Sequence, residues 1–116
     1  VIDHMGGFDA AAGVDAPGFR ELLSLLEEGA VWVKLCAYRN VMGDADLERA
    51  RPFHDRMLEA NPEQLVWGSD WLHVHTSPMV NTGKLRNQLA DWAPDAETRH
   101  RILVTNPQTL YDFPQE

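Results

Sequence analysis

Apolar residues along this chain follow two spacings that alternate with each other. In one, they stand three or four positions apart, which is typical of a helix with one buried face. In the other, short runs are apolar almost throughout and rich in β-branched and aromatic residues, which is typical of a strand buried on both faces. The helical spacing occurs in APGFRELLSLLEEG, in DADLERARPFHDRMLEANP, through Leu85, Leu89 and Trp92, and from Asp95 through Ile102 and Leu103; the strand-like runs are residues 1–4, AVWVKLC at 30–36 and QLVWG at 64–68.

Residues that start or stop helices set the predicted bounds. Pro17 suits the first turn of the first helix, and Gly29 suits its C-terminal stop. Pro52 lies inside the second helical pattern, so that helix either kinks or begins there. Asp95 is placed to cap a later helix, and Asn106-Pro107 is placed to cap a last short one.

Strands and helices alternate along the chain. A parallel strand needs a crossover, usually a helix, to bring the chain back to the same end of the sheet, so this order predicts parallel α/β architecture. With 116 residues and 44% hydrophobic content, the chain is the size of one domain, residues 1–116. Because it begins inside a strand-like run and not with methionine, we expect a fragment of a longer protein or a truncated gene product.

The charge of the chain argues against several classes of partner. It is −8 at pH 7, from 18 acidic and 10 basic residues with no basic run, which offers no footprint for nucleic acid or an anionic membrane. No apolar run approaches the roughly 20 residues of a membrane span. A single cysteine, Cys36, cannot form an internal disulfide, which fits a reducing compartment. We therefore expect a cytoplasmic protein with a small-molecule partner, and leave a homo-oligomer open.

Chemically capable side chains follow each strand-like run. They are Asp3 and His4, then Lys34 with Tyr38 and Arg39, then Asp70 and His73. In barrels and doubly wound sheets, the C-terminal ends of parallel strands lie on one face and build the ligand site. We therefore expect these side chains to lie near one another.

Taken one at a time, these residues leave alternatives open. His4 fits a metal ligand or a group that polarises a substrate carbonyl, and also a core histidine bonded to backbone. Asp70 fits a general base that activates water, or a turn cap. Arg39 fits a carboxylate-binding residue, because its guanidinium group is planar and can donate two hydrogen bonds, and it also fits a solvated loop residue. Lys34 is either paired inside the sheet or extended to its end, and the His-x-His pair at 73–75 is either a zinc-binding pair or two loop histidines.

Four runs together resemble the amidohydrolase-related family, part of the metal-dependent hydrolase superfamily, and within it the 2-pyrone-4,6-dicarboxylate hydrolase-like branch. They are IDHMG, VWVKLCAYR, LVWGSDW and the closing LADWAPDAETRHRILVTNPQTLYDF, in the family's order and over nearly the whole chain. The resemblance implies an α/β fold: the C-terminal part of a (β/α)8 TIM barrel with parallel strands and outer helices. A complete barrel takes about 250 residues, so we expect its N-terminal strands to be missing from this sequence.

The resemblance also implies roles for particular residues. Asp70 matches the aspartate that closes the eighth strand and acts as general base, and His4 matches the histidine that closes the fifth and polarises the substrate carbonyl. Both become metal ligands if one divalent ion, Zn or Mn, is used; the alternative is a metal-independent site. Arg39, together with Tyr38 and His73, is similar to positions that bind the substrate and its carboxylate.

Three departures from the family pattern bear on substrate and cofactor. The His-x-His pair that ends the first strand is absent from this sequence. Gly7 stands where dicarboxylate-specific relatives often carry an arginine, which puts that substrate in question. Leu72 replaces the proline usual after Asp-Trp, which should loosen the loop after Asp70.

The leading hypothesis is an amidohydrolase-type, lactonase-like hydrolase that acts on a small carboxylated lactone or related carbonyl compound from aromatic breakdown. Two alternatives stay open: a metal-dependent decarboxylase of the same superfamily, and a non-catalytic half-barrel that binds a small acid or pairs as a dimer. We expect the 116-residue chain alone to be inactive or nearly so, because half of the catalytic constellation lies outside it.

Overall fold

The structure is a computed structural model that describes residues 1–36, 38–41, 47–70 and 80–112, and of Arg39 the backbone alone. Within these ranges the strands are β1 (Val33–Leu35) and β2 (Leu65–Trp67), and the α-helices are α1 (Pro17–Glu27), α2 (Arg51–Ala60), α3 (Thr82–Trp92), α4 (Ala96–His100) and α5 (Asn106–Tyr111). A π-helical segment, Arg101–Thr105, joins α4 to α5, and short turns cover His4–Gly7, Tyr38–Val41, Leu47–Ala50 and Pro62–Gln64. None of the described helices is long and apolar enough to cross a membrane.

Three segments of the chain lie side by side in parallel. β1 pairs with β2 in a register that sets Val33 opposite Leu65, and on its other side Val33 bridges Ile2. The Ile2 N–H donates to the Trp32 carbonyl at 2.7 Å, and the Ile2 carbonyl accepts from the Lys34 N–H at 2.9 Å. The predicted parallel α/β arrangement is thus confirmed for the described residues, and the three segments end on the same edge.

The regular strands are shorter than the apolar runs that predict them. β1 and β2 have 3 residues each, and residues 1–4 contribute a single bridge. In the described residues one strand, β1, separates the Ile2 segment from β2. If His4 ended the fifth strand and Asp70 the eighth, two strands would lie between them. The strand numbers carried over from the family therefore do not fit the order seen here. The wider barrel stays a prediction.

The helices pack against one face of these segments. Side chains alternate along β1, so Val33 and Leu35 are buried with the helices while Lys34 points to the opposite face. The second and third helical patterns are confirmed, because every apolar position that defines them is buried in the same core: Leu47, Ala50, Phe53, Met57, Leu85, Leu89 and Trp92. One face of the sheet is therefore closed by helices, and the other carries Lys34 and, opposite it, Val66.

The ends of the first two helices follow local signals. Gly29 has a left-handed φ of 76°, and its N–H donates to the Leu26 carbonyl at 3.1 Å, which ends α1 where predicted. Pro52 lies in the first turn of α2, where no backbone N–H is needed. The α-helix therefore begins at Arg51, directly after the turn Leu47–Ala50, and close to the predicted start at Pro52.

The C-terminal helical region is continuous, which corrects one prediction. Asp95 does cap α4, since its side chain accepts from the Thr98 N–H at 3.2 Å. Asn106, however, has helical backbone and caps nothing. Its buried Nδ2 donates to the carbonyl oxygens of Pro62 and Leu65, each at 2.8 Å. The side chain thereby fastens the helix to the start of β2, a partner 41 residues away that no local pattern reveals.

Candidate active site

The C-terminal ends of the three parallel segments bring three side chains together. His4 follows the Ile2 bridge, Tyr38 lies in the turn after β1, and Asp70 follows β2. His4 Nε2 lies 3.2 Å from Asp70 Oδ2, and the Tyr38 hydroxyl donates to the same oxygen at 2.5 Å. The expectation that an imidazole near residue 4 and a carboxylate at residue 70 share one site therefore agrees with the geometry.

The backbone on both sides of this contact is in the left-handed region. His4 has a φ of 52°, followed by Met5 at 52°, and Asp70 has a φ of 55°. Histidine and aspartate are among the residues that tolerate this region best, yet each such conformation still costs about 1–3 kcal/mol and persists where surrounding contacts hold it. Strain of this kind clusters at functional sites, which supports the assignment of this edge as the site.

The three side chains differ in their access to solvent. The side chains of His4 and Asp70 are 26% and 32% exposed, whereas Tyr38 is completely buried. A water molecule or a small ligand can therefore reach the imidazole and the carboxylate. The buried Tyr38 donates its hydroxyl hydrogen bond to the Asp70 carboxylate. Its predicted contact with substrate stays a prediction.

Lys34 is paired, and its pair with Asp3 is partly exposed, with 35% and 58% of the two side chains accessible. Its Nζ lies 3.0 Å from Asp3 Oδ1, and its methylene stem crosses Gly68, where an added Cβ would lie 2.9 Å from Lys34 Cδ. The hydrogen bond from Lys34 holds the pKa of Asp3 below its ordinary value, and the same bond raises the pKa of Lys34. An ion pair therefore borders the site next to Asp70.

Two predicted substrate-binding residues cannot be placed. The backbone of Arg39 lies in the Tyr38–Val41 turn, next to the site, but its side chain is not among the described parts of the structure. His73 and Leu72 lie outside the described residues, as does the rest of the His-x-His pair at 73–75. Their roles stay predictions.

One residue at the site has no signal in the sequence. Asn40 Nδ2 donates to the His4 carbonyl oxygen at 2.9 Å, across 36 residues of chain. Asparagine is common in loops for local reasons, so its type and its neighbours in the chain do not reveal a partner at this distance.

The spacing of His4 and Asp70 also bears on whether this site fits a metal ion. Two ligands held about 2.0–2.1 Å from a tetrahedral zinc ion lie about 3.3 Å apart, so the separation of 3.2 Å between His4 Nε2 and Asp70 Oδ2 fits a shared cation as well as a hydrogen bond. Among the described residues, no group of three or more His, Cys, Asp or Glu side chains is arranged to hold a metal. His4 and Asp70 thus fit two positions of a divalent site, with the remaining ligands still to be supplied.

Comparison with known families identifies the class. The profile of the amidohydrolase family matches residues 1–113. The chain therefore belongs to the amidohydrolase family, and the site described above lies at the strand ends of a member of that family.

Its relatives act on lactones. The chain is 36% identical over 115 residues to a 4-sulfomuconolactone hydrolase of Hydrogenophaga intermedia, covering 96% of this chain and 38% of that protein. It is 35% identical over 127 residues to a 2-pyrone-4,6-dicarboxylate hydrolase of Comamonas testosteroni, covering 100% and 41%. It is 31% identical over 120 residues to a D-galactarolactone isomerase of Agrobacterium fabrum, covering 96% and 39%. The chain spans about 40% of the length of these relatives.

The same branch is found among solved structures. A structure assigned to a 2-pyrone-4,6-dicarboxylic acid hydrolase of Pseudomonas putida superposes with a TM-score of 0.83 at 32% identity, over 98% of this chain and 43% of that one. The predicted resemblance to the 2-pyrone-4,6-dicarboxylate hydrolase-like branch is therefore confirmed.

Proposed function

We propose that the natural full-length protein hydrolyses the ester bond of a small carboxylated lactone, with Asp70 as general base. The observation that carries the proposal is the convergence of His4, Tyr38 and Asp70 at the ends of three parallel segments. The relatives support the substrate class, since two of them are lactone hydrolases. The partner is then a small acid, and neither a nucleic acid nor a membrane.

The proposed reaction uses one water molecule. Asp70 takes a proton from the water, whose oxygen attacks the lactone carbonyl carbon. The His4 imidazole donates a hydrogen bond to the carbonyl oxygen, where negative charge develops. The ring C–O bond then breaks, and the leaving oxygen takes the proton back from Asp70. Arg39, assisted by His73, holds the substrate carboxylate, while Tyr38 keeps its hydrogen bond to Asp70.

A divalent ion, Zn or Mn, is a proposed cofactor, with a metal-independent site as the alternative. His4 and Asp70 would be two of its ligands, because their separation fits a shared cation. When bound, such an ion supplies a Lewis acid and lowers the pKa of bound water. Metal analysis of the purified full-length protein and of its His4→Gln variant would test this, since loss of bound metal in the variant is the expected result.

The general-base role is tested by Asp70→Asn in the full-length protein. The substrates are 4-sulfomuconolactone, 2-pyrone-4,6-dicarboxylate and δ-valerolactone, which has no carboxylate. We expect turnover of a carboxylated lactone and not of δ-valerolactone, and a kcat at least about a hundredfold lower in Asp70→Asn. Asp112→Asn is the matched control, because Asp112 has the same φ of 55° as Asp70 but is exposed and lies outside the site. Full turnover by Asp70→Asn would overturn the proposal.

Product analysis separates hydrolysis from its rivals. Hydrolysis adds the mass of one water, and decarboxylation releases carbon dioxide. An unchanged mass with a new product would favour the lactone isomerase reaction that one relative suggests. We expect the 116-residue chain alone to turn over none of these lactones; if it is also monodisperse and binds them unchanged, the non-catalytic alternative is favoured.

A further inference from the structure

The turn after β1 carries a side chain that the proposed reaction does not use but that bonds to the site. Asn40 Nδ2 donates to the His4 carbonyl oxygen at 2.9 Å. Two positions earlier, the same turn supplies Tyr38, whose hydroxyl donates to Asp70. One short turn therefore contacts both members of the His4 and Asp70 pair.

His4 needs to be held from outside its own segment. It opens a run of four residues with positive φ, at 52°, 52°, 75° and 64° for His4, Met5, Gly6 and Gly7. The first two have a Cβ and are strained in this region. No side-chain hydrogen bond caps this turn at its start. The bond from Asn40 fixes the carbonyl that follows the His4 Cα, and with it the backbone angle that sets the direction of the imidazole.

We propose that Asn40 is a positioning residue for this site: its amide holds the His4 peptide in the left-handed conformation that directs Nε2 at Asp70. This inference rests on the proposed function. The chemistry requires an amide, because the partner is a carbonyl oxygen and accepts only from a donor. An aspartate at position 40 has the same shape, lacks the proton and would be repelled by the carbonyl oxygen.

The test uses the full-length protein with Asn40→Asp and Asn40→Ala. Both lose the donor, and Asn40→Ala adds no charge, so it carries the test if Asn40→Asp does not fold. The matched control is Asn61→Asp, because Asn61 Nδ2 donates to the Leu26 carbonyl at 3.0 Å in the same way but lies before β2, at the opposite end of the sheet.

The expected result is a loss in kcat with substrate binding kept. On the carboxylated lactone with the highest turnover, both Asn40 variants should lose about tenfold or more in kcat with KM changed less than about twofold, because a misplaced catalytic group slows the chemical step. Asn61→Asp should keep its kcat within about twofold. Equal kcat loss in the Asn40 and Asn61 variants, or loss in Asn40→Asp alone, would overturn the proposal.

A second readout does not depend on activity. The ring NMR signal of His4, assigned by its absence in His4→Gln, should shift in both Asn40 variants and stay in place in Asn61→Asp. If Asp70→Asn kept full turnover, the proposed reaction would fail while this signal still reported the role of Asn40. If Asp70→Asn were inactive and the signal did not move in either Asn40 variant, the positioning role alone would fail.

Discussion

A buried histidine should make this protein lose stability between pH 7 and pH 5. His54 in α2 is 1% exposed, and neither of its ring nitrogens has a hydrogen-bond partner among the described residues. Its ring meets Trp92 edge to face at 5.1 Å, and Oδ1 of Asp55 lies 3.7 Å from its Nδ1. Burial lowers the pKa of His54 from 6.5 to about 4, although Asp55 opposes the shift.

The sign and size of the effect follow from proton linkage. In the unfolded chain this histidine binds a proton near pH 6.5, whereas in the folded protein it binds one only near pH 4. Stability is therefore complete above pH 6.5, falls as the pH drops, and levels off near pH 4. The lowering of the His54 pKa from 6.5 to about 4 corresponds to about 3 kcal/mol of unfolding free energy in total. The part lost between pH 7 and pH 5 is about 2 kcal/mol.

The assay is urea unfolding of the full-length protein at pH 7 and pH 5, for the wild type and for His54→Phe and His54→Leu. An apolar side chain of similar size removes the titrating group, so the folded variants should lose about 2 kcal/mol less than the wild type between these pH values. At pH 7 they should be nearly as stable as the wild type, because no hydrogen bond is lost.

A surface histidine provides the control. His100 is exposed at the end of α4, so His100→Gln should retain the pH dependence of the wild type. If the His54 variants and the wild type lost the same free energy between pH 7 and pH 5, the assignment of His54 as a neutral buried group would be refuted.

Two further predictions concern packing and backbone. Asn106→Ala should destabilise the protein by about 2–4 kcal/mol in urea unfolding, because a buried backbone carbonyl oxygen and a part-buried one both lose their donor. An unchanged midpoint would contradict the role given to this side chain. Gly6→Ala should lower the free energy of unfolding by about 1–3 kcal/mol more than Gly7→Ala. Both glycines have positive φ, but an added Cβ at Gly6 would lie 2.6 Å from Leu22, whereas nothing lies within 4 Å of one at Gly7. Equal losses of unfolding free energy in the two variants would contradict this prediction and show that Leu22 moves aside without strain.

The site was predictable in part because strand-end chemistry has a local signature. An apolar run followed at once by a polar, reactive residue marks the edge where parallel strands end, and this pattern predicted that Asp70 and His4 lie near one another. Asn40 was not found, because its only mark is a contact 36 residues away. The predicted contact of Tyr38 with substrate stays a prediction; its hydrogen bond to Asp70 was not predicted. Which side a hydroxyl faces depends on how the turn after β1 packs, and no residue pattern encodes that.

The sequence by itself indicated most of the helices, the start of the first at Pro17, the parallel order and the resemblance to the family, because these follow from spacing, backbone preference and short residue runs. Only the tertiary structure decided which side chains meet. The contact of His4 with Asp70 spans 66 residues, and that of Asn106 with the start of β2 spans 41. Contacts of this length exist only after the crossover helices have returned each strand to the same edge, so they depend on the packing of the whole sheet.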